Sequence, residues 1–201
     1  AVNAAGDAVV VWSQLVEGRY GVLGSSFHAG AWSLPQVIRA SIGDATVPLV
    51  GIDGAGHAVV AWRDSDTDGQ PGQTHAMWSA RGTRLGDGSL RWTAGFKLPA
   101  TQEALDGHAL AVAPDGTAVL AWREFRPAVA DLPAQRNLVV AEGDGTLWSP
   151  AVAVESADGD VDHPAIAMGA GSATLLAWEQ ASDSGAPQVL ASRRSAASTW
   201  S

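Results

Sequence analysis

Asp64-Ser65-Asp66-Thr67-Asp68-Gly69 sets three carboxylates at alternate positions just ahead of a glycine turn. That alternation can aim hard oxygen ligands at one point, the chemistry that suits Ca²⁺. The frame of a twelve-residue EF-hand loop is not completed, because its last position is His75 and not glutamate. The competing reading is a solvated hairpin loop made of good turn formers. Asp158-Gly159-Asp160-Val161-Asp162 is a weaker version of the same pattern. Ca²⁺ is therefore the one cofactor the sequence suggests, with Asp64, Asp66 and Asp68 as its ligands.

Two arginines, Arg63 and Arg123, each follow a tryptophan that closes an apolar run, and Arg126 lies close by in Phe125-Arg126-Pro127. They can share one face of the molecule as ligand-binding groups, or pair with Asp64 and Glu124 as surface turns. Trp78 is the remaining candidate. The aligned position of the next repeat is Ala141, so its ring can be offered to a sugar or to a partner side chain. The five histidines show no His-x-His or His-x₃-His spacing, which argues against zinc. The absence of cysteine excludes thiolate ligands, thiol nucleophiles and disulfides.

These residues sit on a repeating frame. Apolar runs end in Trp12, Trp62, Trp122 and Trp178, at spacings of 50, 60 and 56 residues. A second set, Trp32, Trp92, Trp148 and Trp200, is spaced 60, 56 and 52 residues apart, each followed by Ser or Thr. Two markers that keep phase imply one unit used about four times, over approximately 1–47, 48–106, 107–162 and 163–201. The second unit reads as four strands: 48–53, 57–62, 74–81 and 92–98. Its second strand is apolar on both pleat faces, which requires a sheet stacked on either side. The expectation is all-β: a β-propeller of about four blades, each of four antiparallel strands, forming a segment of a larger propeller. The eight phased tryptophans then belong to the packing between blades. Loops of variable length after the first tryptophan, with Asp44, Glu103, Asp106, Asp160, Asp162 and His163 in the connections between units, predict an acidic loop-rich face.

Composition narrows the partners. A net charge of −9 with a single lysine, Lys97, argues against a nucleic-acid surface. No apolar stretch is long enough for a membrane-spanning helix.

Pro48-Leu49-Val50-Gly51-Ile52-Asp53, a glycine turn and Ala58-Val59-Val60-Ala61-Trp62-Arg63 together resemble the Trp-rich repeats of secreted bacterial proteins, as do Trp32-Ser33-Leu34-Pro35 and Trp148-Ser149-Pro150. Those repeats form propellers related in shape to sialidases. The resemblance covers the whole chain, and it implies an extracellular or cell-surface protein with further blades in the same polypeptide. The second tryptophan set also resembles the Asp-box turn of sialidase-like propellers, with its aspartate missing from most copies. The function expected is non-catalytic recognition of a glycan or a protein surface. The alternatives are a sialidase-like hydrolase, for which the resemblance implies three convergent arginines and a tyrosine nucleophile (Tyr20 being the sole tyrosine), and a purely structural scaffold.

Overall fold

A computed structural model describes residues 1–40, 43–67, 74–99, 102–130, 133–155, 159–181, 186–195 and 200–201. Among these residues are sixteen strands in four antiparallel sheets and one 3-10 turn. Blade one holds β1 (Ala8–Val16), β2 (Arg19–His28), β3 (Ala31–Trp32) and β4 (Gln36–Arg39). Blade two holds β5 (Ala45–Ile52), β6 (Ala58–Asp64), β7 (Ala76–Arg84), β8 (Leu90–Trp92) and β9 (Phe96–Lys97). Blade three holds β10 (Glu103–Val112), β11 (Ala118–Arg126), β12 (Gln135–Gly143) and β13 (Val152–Ala153). Blade four holds β14 (Val161–Met168), β15 (Thr174–Ala181) and β16 (Pro187–Arg194).

The blades stack face to face around a shared axis, with β5 beside β10 and β10 beside β14. These inner strands approach closely. A Cβ on Gly51 would lie 2.2 Å from Val112 Cγ2, so only glycine fits there. Between blades lie apolar cores centred on Trp62, Trp122 and Trp178, and a further cluster of Val9, Ile52, Ala58 and Leu90 joins blades one and two. Strands β6 and β11 are buried on both faces along their apolar runs, as the expected stacking demands.

Each first tryptophan solves a local problem. In blades two, three and four its indole N–H is carried into the interior and needs an acceptor, and in blade one the same pairing forms nearer solvent. The residue two positions on shares its face of the strand and supplies one. Trp12 Nε1 donates to Gln14 at 2.9 Å, Trp62 to Asp64 at 3.1 Å, Trp122 to Glu124 at 3.1 Å and Trp178 to Gln180 at 3.0 Å.

The fourth strand is broken in two, whereas the sequence suggests one run over 92–98. The break falls at the hydroxyl residue after the second tryptophan. Thr93 N donates to Arg81 O at 2.8 Å, while Thr93 Oγ1 accepts from Arg81 N at 3.0 Å. Ser33 and Ser149 bond in the same way to Ser26 and Glu142. The side chain stands in for a main-chain carbonyl, so a hydroxyl is required and not merely a small residue. Thr93→Val, nearly isosteric, is expected to cost about 1 kcal/mol in urea unfolding and Thr93→Ser almost nothing. Equal stability of the valine variant would refute this role.

The Asp-box reading also needs correction. The carboxylates lie in the turn itself: Asp144 Oδ1 accepts from Thr146 N at 2.7 Å and from Leu147 N at 3.0 Å, and Asp87 Oδ1 accepts from Ser89 N at 2.9 Å. Asp-Gly-Thr/Ser-Leu precedes Trp148 directly and Trp92 after one further residue, so an alignment that assumes fixed spacing finds Asp87 and misses Asp144.

Candidate functional site

In blades two, three and four the first strand begins earlier than its apolar run, at Ala45, Glu103 and Val161. A bulge follows in each: between Thr46 and Leu49, Ala104 and His108, and Asp162 and Ala165. Val47, Gly107 and His163 take left-handed φ values of 50°, 85° and 48° there. Glu103, Asp106, Asp162 and His163 therefore belong to strands and not to connecting loops. The extra residues of the bulge re-aim their side chains toward neighbouring blades. His108 Nε2 lies 2.8 Å from Val47 O and ties two bulges together, and burial lowers the pKa of its imidazole.

Arg63 and Arg123 use this arrangement. Arg63 Nη1 pairs with Asp106 at 2.9 Å, and its Nε donates to Ala104 O at 2.9 Å. Arg123 Nη1 pairs with Asp162 at 2.9 Å, and its Nε donates to the Asp106 carbonyl at 2.6 Å. Each arginine thus reaches from the second strand of one blade to the first strand of the next. The pairing with Asp64 and Glu124 allowed by the sequence does not occur, because those carboxylates are buried on the opposite strand face. Arg126 bonds to Gln135 at 2.9 Å, apart from the other two. Tyr20 is exposed on β2, its main-chain N–H held by Asp44.

Glu103 completes the joint between blades two and three. It accepts from Thr74 Oγ1 at 2.7 Å and His75 N at 3.0 Å. Burial pushes its pKa up, but the hydrogen bonds from Thr74 and His75 outweigh this and hold it below the usual carboxylate range.

Two hollows open among these residues. The first, of about 450 Å³, lies between blades three and four and is lined by Arg123, Arg136, Asp160, Asp162 and Glu179, among others. Arg136 N donates to Asp160 Oδ1 at 2.9 Å, and its guanidinium pairs with Asp160 Oδ2. The second, of about 490 Å³, is lined by Arg39, Asp66, Trp78, Phe96 and Lys97. Trp78 is only 4% exposed, its Nε1 donates to Asp66 O at 2.9 Å, and the Arg39 guanidinium lies 4.0 Å from its ring centroid. The ring thus meets the hollow behind Arg39, which also pairs with Asp66 Oδ2 at 2.8 Å. Sequence reasoning misses Arg39 and Arg136. Neither sits at a marked repeat position, and both gain their meaning from blade stacking.

Of the proposed calcium ligands, Asp64 is fully buried and accepts from Trp62 Nε1 and from Asp66 N at 2.9 Å. Asp66 faces Arg39, and Asp68 lies outside the described residues. Among the described residues, no group of three or more His, Asp or Glu side chains is placed to hold a metal ion.

No helix among the described residues is long and apolar enough to cross a membrane. No family model matches the sequence, and neither does any curated protein. Among solved structures, a protein of unknown function from Dyadobacter fermentans matches at 13% identity and a TM-score of 0.60, covering 96% of this chain and 51% of that one. A Hadza microbial sialidase matches at 14% identity and a TM-score of 0.59, over 99% of this chain and 44% of that one. Trypanosoma rangeli sialidase matches at 15% identity and a TM-score of 0.59, over 100% of this chain and 36% of that one. The chain spans about half or less of the length of these structures, and at such identities the likeness shows the fold alone. That fold is the β-propeller shared with sialidases and other glycoside hydrolases.

Proposed function

We propose that the chain is a non-catalytic glycan-recognition propeller, acting outside the cell or at its surface, that binds at the polar hollow between blades three and four. The observation that carries this reading is the mixed lining of that hollow. Arg123, Arg136, Asp160, Asp162 and Glu179 bring fixed donors and acceptors together in about 450 Å³. Their charges are largely matched by ion pairing, which suits the vicinal hydroxyls of a sugar better than a strongly charged ligand. Against a sialidase-like hydrolase stands the use of the arginines. Arg63 and Arg123 bind successive blades together and Arg126 bonds to Gln135, so each of the three is engaged by the frame itself.

A glycan array, run with Ca²⁺ and then with chelator, tests the reading. Binding is expected in wild type and is expected to fall about tenfold or more in Arg136→Ala, an exposed position whose loss leaves the fold intact. No binding, or binding indifferent to that change, would refute the site. Release of fluorophore from a sialoside substrate would refute the non-catalytic assignment. The calcium proposal is tested in the same screen with Asp68→Asn, because Asp64 and Asp66 support the fold and their removal would confound the result. Binding that is lost on chelation and in this variant would support an ion there.

A further inference from the structure

One polar latch recurs at the joints between blades one and two, two and three, and three and four. An acidic residue stands just before the buried Ala45, Ala104 or Val161 of the following blade: Asp44, Glu103 and Asp160. Each carboxylate accepts a main-chain N–H from the preceding blade. Tyr20 N in β2 donates to Asp44 at 2.9 Å, and His75 N, just ahead of β7, donates to Glu103 at 3.0 Å. Arg136 N in β12 donates to Asp160 at 2.9 Å.

Tyr20, His75 and Arg136 hold one register position. Tyr20 pairs with Leu15 and Arg136 with Phe125, each three residues after a first tryptophan, and His75 precedes Ala76, the partner of Asp64. Each lies two residues before a fully buried side chain of a joint core, Val22, Met77 or Leu138. Strand alternation therefore turns all three toward the next blade, beside the latch carboxylate. The latch uses their backbones, and their side chains still reach solvent. The Tyr20 residue is 48% exposed, and the side chains of His75 and Arg136 are 30% and 50% exposed. Both flanking blades are in place at each of these joints, so this exposure does not depend on what lies beyond blades one and four. Only Arg136 lines the hollow already described.

We propose that the three joints form one line of glycan subsites, and that the ligand is an extended, uncharged polysaccharide and not a single terminal sugar. The proposal rests on the glycan-binding reading of the hollow, which becomes one end of the line. Tyr20 is the other end, its ring stacking on the face of a sugar. His75 lies between them, with Nδ1 held 3.0 Å from Glu103 Oε1, and its Nε2 edge meets a hydroxyl. Neighbouring sheets pack about 10 Å apart, so the same position on successive blades recurs at an interval that a chain of sugars spans and one sugar does not. Each added subsite then binds a ligand that is already tethered at the last. Asp44, Glu103 and Asp160 are occupied by main-chain donors, and they disfavour a polyanion along the same line.

Titration calorimetry with cello-, xylo- and chito-oligosaccharides, each from disaccharide to hexasaccharide, tests this. In at least one series the affinity is expected to rise about tenfold or more with length. Tyr20→Ala is expected to weaken the hexasaccharide about tenfold and to leave the disaccharide unchanged, while Tyr20→Phe keeps the ring and the wild-type affinity. Arg136→Ala is expected to weaken both lengths. Thermal melts of the three variants are expected to match wild type, because both side chains are half-exposed and the Tyr20 main-chain bond to Asp44 is kept. Affinity that depends on Arg136 but not on length or on Tyr20 would overturn the line of subsites and leave the hollow standing. Equal losses in Tyr20→Ala and Tyr20→Phe would overturn the stacking role. No binding of any length in any series would overturn the line and the hollow together.

Discussion

Trp62→Ala is expected to lower the unfolding free energy by about 3–5 kcal/mol, enough to leave a marginally stable domain largely unfolded. Trp62 is fully buried at the joint between blades one and two, with Val22 and Ile38 on one side and Val60 and Trp78 on the other. Its removal empties the centre of that joint and also takes away the indole donor to the buried Asp64 carboxylate. Trp12→Ala is the internal control. It deletes the same side chain at the same repeat position, but Trp12 is only half-buried and its indole pairs with Gln14 near solvent, so the cost is expected to be well under half. Urea denaturation of both variants checks the comparison. Equal losses would show that tryptophan stabilises each blade from within and not the joint between blades.

Glu124→Gln is expected to stabilise the protein above neutral pH and to flatten its pH dependence. Burial raises the Glu124 carboxyl from its ordinary 4.5 to about 7; the Trp122 hydrogen bond opposes this, and the charge of Glu155 adds to it. Burial raises the pKa of Glu155 as well. Because the folded state holds the proton more tightly than the unfolded chain, stability is greatest below 4.5 with respect to this group. It declines as pH rises toward about 7 and is level above that. The difference is on the order of 3 kcal/mol at 1.36 kcal/mol per pH unit. Glutamine keeps the carbonyl acceptor for Trp122, as Gln14 and Gln180 do in blades one and four, without the ionisation. Melting temperatures from pH 4.5 to 8.5 are expected to fall in wild type and to fall much less in the variant. Parallel curves would show that Glu124 is not the titrating group.

The tryptophan phase carried the architecture. Runs such as Ala58–Trp62 are apolar on both faces, and a strand of that kind has no stable place except between two sheets. The partner of each tryptophan was also written in the chain, two residues on, as Gln14, Asp64, Glu124 and Gln180. It was obscured where Asp64 opens a run of alternate aspartates that reads equally well as an ion site. Arg63 and Arg123 stood out for a clear local reason, yet their partners could not be read, because the Arg63–Asp106 bond spans 43 residues and depends on a bulge in another blade. Arg39 and Arg136 carried no signal at all.

The sequence by itself determined the unit, the apolar runs of its inner strands and its glycine turns, because pleat alternation and turn chemistry act over a few residues. Only the tertiary structure decided which carboxylate meets which guanidinium, which aspartates are buried acceptors and where the hollows open. Those outcomes depend on how one blade is rotated and bulged against the next, and that stacking places side chains some forty residues apart within hydrogen-bonding distance.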